Sequence, residues 1–275
     1  MVSESSRQIE AFSSQSASVF LFPPRRFPRI YQGMPTLADS YYARATEMLA
    51  QAREKNAPTL AALAPIIGRS IAAGGVLHTF GSGHSEMIAR EIIGRAGGLM
   101  PVTGLFDPGY GFSENIVGYG TRLAERHDHH HGLRAGETII VISNSGKNAS
   151  PIEVALYAKQ KGLTVVGLTS LAMSTTAKTV HPGGKNLHAI ADYTLDNLGV
   201  SGDAITEVTP NQFAGPTSTL IGCTLLNLLM LGVLEWLRDN NHSLPLVRSQ
   251  NLPGGMEANI ELSKKYRTRL SKLIG

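Results

Sequence analysis

The chain has 275 residues, of which 42% are hydrophobic and 17% charged, with 29 Gly and 14 Pro. These figures suit an α/β protein of ordinary core content and exclude a collagen, a coiled coil and a wholly disordered chain. The net charge of +4 comes without a stripe of Lys and Arg interleaved with aromatic residues, so nucleic acid is not predicted as a partner. The single cysteine, Cys223, excludes an intramolecular disulfide and a cysteine-based zinc site.

Residues 1–33 are predicted to form a poorly structured leader. Ser and Gln dominate positions 3–18, and Pro23, Pro24 and Pro28 break any helix. The apolar run at 17–22 is too short for the core of a signal peptide. Residues 34–275 are predicted to be one domain, and Met34 is a hypothetical start of the functional chain.

The predicted elements after the leader begin with two helices. Apolar spacing predicts helices over 36–51 and about 60–71, with an interruption at 56–58 and an end at Gly74-Gly75. A short apolar strand follows at 76–80, then a polar turn and a helix through Arg95. The apolar stretch 99–102 predicts a further strand.

The second half of the chain alternates strands with helices. Residues 138–143 form a continuous β-branched run, typical of a parallel strand that is covered on both faces. A helix is predicted from Pro151 to Gly162, followed by strands at 164–170 and 191–197. This alternation predicts an α/β fold with a doubly wound parallel sheet.

Residues 217–237 have the length and apolar character of a membrane span. Thr224 and Asn227 lie in the middle of the segment, and no second hydrophobic segment of this length exists. A helix that is apolar all round is either a membrane span or a buried core helix. We favour a core helix at a subunit interface, and we predict a cytoplasmic protein without a membrane partner.

A loop and a helix are predicted at 249–266.

Two polar turns each join a predicted strand to a predicted helix. The first is 81–85 (GSGHS) and the second is 143–148 (NSGKN after Ser143). Ligands of parallel sheets bind beyond the carboxyl ends of the strands, and a helix N-terminus favours anions. Serines in one such turn often only cap a helix, but two such turns together predict a phosphate site. Neither a dinucleotide fingerprint nor an ATP-binding loop is present, and no cofactor is predicted.

The two turns carry a resemblance to the sugar isomerase (SIS) domain. The chain from about residue 34 onward resembles the bacterial UPF0309 family of SIS-domain proteins. The segments that carry this resemblance are ISNSGKNASPIEVALYAKQKG, GKNLHAIADYTLDN and GPTSTLIG.

The resemblance implies a five-stranded parallel sheet flanked by helices, and a homodimer or homotetramer that binds a sugar phosphate. The phosphate contacts that it implies are Ser85, Ser143 and Ser145. Asn148 stands where the family pattern has a third serine, and its amide can also donate to phosphate. Ser82 matches a variable position and is a candidate for a supporting contact.

An aldose–ketose isomerase needs a base for the C2 proton, and Glu and His are the usual choices. Glu91 follows the first turn on its helix, and His84 lies within that turn. Glu91 is also four residues before Arg95, which is the spacing of an ordinary helical ion pair. Phosphoheptose isomerases carry a catalytic glutamate where this chain has Arg95, and their histidine on the last long helix is missing from 216–237.

The remaining polar clusters allow two interpretations each. His188 and Glu257 are candidates for a site completed by a neighbouring subunit, although His188 also fits a short packed helix and Glu257 fits a helix N-terminus. Four histidines occur within 127–131. Their spacing favours a solvated loop, and no metal site is predicted.

These patterns lead to two main hypotheses on function, beside a third, a dimeric scaffold whose site is vestigial. The first is an enzyme that binds a sugar phosphate and catalyses its isomerisation or another reaction that begins by enolisation. The second is a non-catalytic sugar-phosphate sensor.

Overall fold

A parallel β-sheet with helices on both faces organises residues 35–270, the part of the chain that the computed structural model describes. The predicted leader 1–33 and Met34 lie outside the described residues. The helices are α1 (Leu37–Ala72), α2 (Ser85–Glu91), α3 (Tyr119–His131), α4 (Ala149–Gln160), α5 (Leu171–Ser174), α6 (Ser218–Asp239), α7 (Gly255–Lys264) and α8 (Arg267–Leu270), with a 3₁₀ turn at Leu187–Ala189. The strands are β1 (Leu77–Gly81), β2 (Val102–Leu105), β3 (Thr138–Ile142), β4 (Thr164–Thr169), β5 (Tyr193–Asp196), β6 (Ala204–Thr209) and β7 (Gln212–Pro216).

The main sheet has the strand order β2-β1-β3-β4-β5, and all of its neighbouring strands are parallel. This confirms the predicted five-stranded, doubly wound sheet. The chain runs outward from β1 to β2 and then returns to add β3 on the other side of β1. The direction of winding therefore reverses between β1 and β3, where proteins of this topology form a crevice for ligands.

Alternating side chains divide the core between the two faces of the sheet. On β3, Ile140 and Ile142 pack with α1, α2 and α6, whereas Ile139 and Val141 pack with α3 and α4. Successive residues of a strand point to opposite faces, so a strand covered on both faces must be apolar throughout. All five residues of β3 are buried.

The two helices predicted between residues 36 and 71 are one continuous helix, α1, so the predicted interruption at 56–58 is wrong. Pro58 and Pro65 lie inside α1. Asn56, which is buried, donates through Nδ2 to the carbonyls of Ala52 and Asp196, and its Oδ1 accepts from the nitrogen of Asp196. These bonds fasten α1 to the end of β5, and this tertiary anchoring outweighs the local preference for a break.

Two predicted element boundaries also differ from the structure. The strand predicted at 99–102 lies at 102–105, because Leu99 instead forms an antiparallel bridge with Leu246. Helix α2 ends at Glu91 instead of continuing to Arg95. Just after its end, the nitrogen of Ile93 donates to the carbonyl of Arg90, three residues earlier, which is the hydrogen-bond spacing of a 3₁₀ turn. The antiparallel hairpin of β6 and β7 was not predicted.

Helix α6 packs along α1 in the core, as predicted for a core helix, and its place at a subunit interface stays a prediction. The inward face consists of Ser218, Ile221, Gly222, Leu225, Leu226, Leu229, Met230, Val233 and Leu237. Its outer face exposes Leu220, Asn227 and Leu231. Within residues 35–270, α6 is the one helix long and apolar enough to cross a membrane, and a single helix of this kind is weak evidence of a span.

Candidate functional site

The sheet register brings the two polar turns side by side. Gly81, the last residue of β1, pairs with Ile142, the last residue of β3. Adjacent strands lie about 4.8 Å apart, so the turns that follow them start as neighbours. They do so at the point where the winding of the sheet reverses.

The first turn leaves two polar side chains available. Ser85 begins α2 and is half-buried, and His84 is exposed at the position before the helix. Neither side chain has a hydrogen bond to another residue in 35–270. Ser82 differs, because its hydroxyl is buried and donates to Asp107 Oδ2 over 3.2 Å. Ser82 is thus placed to support the turn.

The second turn is held by its own backbone. Ser143 Oγ accepts from the nitrogen of Gly146, while Ser145 has no side-chain partner among the described residues. Gly146 has a φ of 63°, and a Cβ there would lie 2.3 Å from Ser174 Oγ, so only glycine fits. Asn148 precedes α4 and makes no capping bond, and its Oδ1 is buried without a partner in the described chain.

The ends of β4 and β5 fix the second turn from its other side. The carbonyl of Asn144 accepts from the nitrogen of Ser170, and its Oδ1 accepts from Asn197 Nδ2 at 2.9 Å. His188, in the 3₁₀ turn, bonds through Nδ1 to Ser174 Oγ at 2.9 Å, and this serine contacts Gly146. The structure therefore places His188 behind the second turn of its own chain, and its predicted role in a neighbouring subunit's site stays untested.

Asp107 is the site residue that sequence analysis missed. It follows β2, is 1% exposed, and accepts four hydrogen bonds, from the hydroxyls of Ser82 and Tyr119 and the nitrogens of Gly109 and Gly111. Burial raises the pKa of Asp107, but these hydrogen bonds outweigh it and lower the pKa below its usual value. The side chain is an anion that ties the first turn to the loop after β2.

The loop at 107–118 extends from the first turn to the start of α4. A Cβ on Gly111 would lie 3.0 Å from the nitrogen of Gly83, and the nitrogen of Ser150 donates to the carbonyl of Glu114. The same loop exposes Tyr110 and Phe112, which are 77% and 95% accessible. The loop therefore borders both turns.

The carboxylates predicted from the sequence lie away from the turns. Glu91, at the far end of α2, pairs with Arg95 and accepts from Asn227 Nδ2 of α6 at 3.3 Å. Six residues of helix separate it from Ser85, a rise of about 9 Å. Glu257 is exposed in the first turn of α7, and no contact within 35–270 joins it to either turn. The roles predicted for Glu91 and Glu257 stay predictions.

The predicted solvated loop of histidines is wrong, because residues 127–131 form the last turns of α3. His127 and His131 are buried. His127 Nε2 lies 2.9 Å from His78 Nδ1, and His78 Nε2 lies 3.0 Å from Glu137 Oε2. The same carboxylate receives two bonds from Arg269 of α8. These rings are anchored by the protein's own core, and residues 35–270 hold no cluster of His, Cys, Asp and Glu suited to a metal ion.

The arrangement of the turns suits an anion that carries several oxygen atoms. Ser85 and Ser145 supply free hydroxyls, and α4 begins at the same edge. In its first turn the nitrogen of Ser150 already donates to the carbonyl of Glu114 and Pro151 has no N–H, so α4 contributes chiefly through its dipole. The helix dipole adds positive potential there. A doubly wound α/β protein with two serine turns at its switch point is the class that this fold and site define.

Comparison with known proteins places the chain within this class. The SIS domain family matches residues 40–170, a span that includes both turns. A UPF0309 protein of Halalkalibacterium halodurans is 32% identical over 241 residues, covering 85% of this chain and 96% of that protein. One from Brucella canis is 35% identical over 246 residues, covering 86% and 98%. The chain belongs to the UPF0309 family.

Solved structures resemble the chain more distantly. Phosphoheptose isomerase from Neisseria gonorrhoeae has a TM-score of 0.46 and 16% identity, covering 71% of this chain and 96% of its own. The Vibrio vulnificus NanR protein complexed with ManNAc-6P has a TM-score of 0.48 and 14% identity, covering 84% and 69%.

Proposed function

We propose that the protein binds a sugar phosphate with its phosphate group between the two serine turns. The observation that supports this proposal is the pairing of Gly81 with Ile142, because the turns that carry Ser85 and Ser145 start side by side there. The match to the SIS domain over both turns supports it. Neutral donors and a helix N-terminus bind phosphate without a lysine or arginine.

The reaction that we propose is an enolisation, which leads either to an aldose–ketose isomerisation or to elimination of a 3-substituent. Glu91 is the proposed base for the C2 proton and His84 its partner for the sugar oxygens. A sugar extending from Ser85 along α2 would approach Glu91. We place the protein in the cytoplasm, since sugar phosphates are anions that do not cross bilayers unaided.

A second candidate is a sensor that binds the sugar phosphate without turnover. The ion pair between Glu91 and Arg95 favours it, because the guanidinium occupies a carboxylate oxygen that would have to receive the C2 proton. Both candidates share the binding site, and they differ in whether the C2 proton exchanges with solvent.

The binding site is tested by the double variant Ser85→Ala/Ser145→Ala. Each hydroxyl that donates to a phosphate contributes about 1.5–3 kcal/mol, partly replaced by water, so the affinity should fall by about 2–4 kcal/mol. That is a roughly 30- to 1,000-fold increase in Kd, measured by calorimetry with a panel of sugar phosphates.

Ser263→Ala is the control for this test, because its hydroxyl is exposed on α7 and bonds only to the carbonyl of Ile260. It should bind like the wild type. Unchanged affinity in the double variant would remove the two turns as the phosphate site.

A further inference from the structure

A second cavity lies beside β2, outside the two serine turns. It has a volume of about 230 Å³, and its walls come from α2, the end of β2 and α3. Pockets for drug-sized ligands usually measure about 300–1,000 Å³, so this one suits a small ion or molecule. It shares Asp107 with the loop that supports the first turn.

The two carboxylates in the walls are already occupied by donors of the chain. Glu86 Oε1 accepts from Arg90, and Glu86 Oε2 accepts from the nitrogen of Asp107. Asp107 accepts its four bonds from the first turn and its own loop. Neither carboxylate is left to attract a cation into the cavity.

Arg126 differs from the two carboxylates, because its charged group has no partner among the described residues. It is exposed on α3, and it makes no ion pair or hydrogen bond within the described part of the chain. His130, one turn further on the same face of α3, makes a ring contact with His129 and no hydrogen bond within residues 35–270. A guanidinium with five unused donors makes this wall attractive to an oxyanion.

The two buried histidines in the wall add hydrogen-bond acceptors. A carboxylate only accepts, so His78 donates to Glu137 through Nε2 and accepts from His127 at Nδ1. His127 then keeps an unprotonated Nδ1. His131 donates through Nδ1 to the carbonyl of Arg269, which leaves its Nε2 as an acceptor. Burial lowers the pKa of both rings, to about 2 for His127, so both are neutral.

We propose that this cavity binds a small oxyanion that carries its own O–H donor, of the chemical class of hydrogen phosphate. Arg126 pairs with the charged oxygens, and the protonated oxygen donates its one hydrogen to the unprotonated ring nitrogen of His127 or of His131. Sulfate has the same charge and shape but no proton at neutral pH. The cavity therefore discriminates against sulfate.

The experiment is a titration of the full chain, labelled with ¹⁵N in its histidine rings, with inorganic phosphate and then with sulfate at pH 7. Two-dimensional spectra of the rings report on the cavity wall directly. We expect the signals of His127 and His131, the proposed acceptors, to shift with phosphate, and sulfate to bind about tenfold or more weakly because one hydrogen bond is lost. The proposal is overturned if the histidine ring signals do not shift with phosphate, or if they shift equally with sulfate.

Matched variants separate this cavity from the serine turns. Arg126→Gln should weaken phosphate binding about tenfold or more by this readout, whereas Arg122→Gln, one turn earlier and paired with Glu125, should not. His130→Gln tests the same wall if Arg126→Gln disturbs α3. The ring shifts should persist in Ser85→Ala/Ser145→Ala. The test of this cavity is therefore independent of the test of the serine turns. Equal effects of Arg126→Gln and Arg122→Gln contradict the proposal.

Discussion

Glu91 shows how the neighbours of one side chain bear on its chemistry. It is a carboxylate of the type that an enolising enzyme needs, on a helix that begins at the proposed phosphate site. Arg95 and Asn227 both bond to its Oε1. Its side chain remains 27% exposed, so a substrate can still approach it.

The variant Glu91→Gln separates binding from chemistry. It keeps the size of the side chain and removes its basicity, so the sugar phosphate should still bind. Exchange of the C2 proton with deuterium, followed by NMR, should fall by about 10²–10⁴-fold. Glu125→Gln, on the surface of α3, is the control and should exchange normally.

Exchange at the wild-type rate in Glu91→Gln would move the base elsewhere, with Glu86 and Glu257 of the partner subunit as the next candidates. A wild-type protein that binds sugar phosphates without any exchange would instead favour the sensor.

The residues of the turns were predictable from the sequence, whereas Asp107 was not. Ser85 and Ser145 stand in short polar runs directly after apolar strands, which is a local signal. Asp107 is one carboxylate in a loop, and its role arises from donors at positions 82, 109, 111 and 119 that converge only after folding. No spacing in the sequence reports that convergence.

Among the elements, those with a strong periodic pattern were predicted, and those fixed by distant contacts were not. The strand β3 can be predicted from its sequence alone, because a strand covered on both faces is apolar throughout. Helix α1 continues through Pro58 because Asn56 bonds to Asp196, 140 residues away. The histidines at the end of α3 look solvated in sequence, but their partners include Arg269, 138 residues further on.

Helix α6 presents an apolar outer face that fits the predicted homo-oligomer. Leu231 is 57% exposed there, and Met87 of α2 is equally exposed. We propose that this face contacts a second copy. In a two-fold interface, Leu231→Glu removes two buried leucines, each worth about 1.5–3 kcal/mol, so association should weaken by about 100-fold or more. Sedimentation at micromolar concentration measures the shift toward monomer.

Phe213→Glu is the control for assembly, because Phe213 is as exposed as Leu231 but lies on β7. It should leave the sedimentation unchanged. A wild-type protein that sediments as a monomer contradicts the interface.

For the molecule as a whole, the buried chain of His127, His78, Glu137 and Arg269 connects α3, β1, the residue just before β3, and α8. Burial raises the pKa of Glu137, but hydrogen bonds from His78 and Arg269 outweigh it and bring the pKa to about 2. Burial also lowers the pKa of His127 from 6.5 to about 2. The folded protein thus holds a neutral imidazole and a carboxylate in its interior.

Acid should destabilise the fold through these groups. Below pH 6.5 the unfolded chain protonates His127 and the folded protein does not, so stability present above pH 6.5 is lost as the pH falls. At ~1.4 kcal/mol per pH unit below 6.5, this ring lowers the free energy of unfolding by about 2 kcal/mol between pH 7 and 5. Glu137 acts in the same direction below pH 4.5. Urea denaturation across this range measures the slope.

His127→Gln should flatten that slope, even though it lowers stability at pH 7 by removing a buried partner of His78. His129→Gln, exposed on the same helix, should leave the slope as it is. An equally steep slope in His127→Gln would assign the acid sensitivity to other groups.

The bond between Glu137 and Arg269 also sets an order of events during synthesis. The ribosome makes Glu137 132 residues before its guanidinium partner, and His78 earlier still. Until α8 emerges, closing the centre of the sheet would bury a carboxylate that has His78 and the backbone nitrogens of Val76 and Arg134 as donors but no cation beside it, which is unfavourable. We therefore expect the nascent chain to wait in a partly folded state, exposed to chaperones, and to complete its core only after α8 has left the exit tunnel.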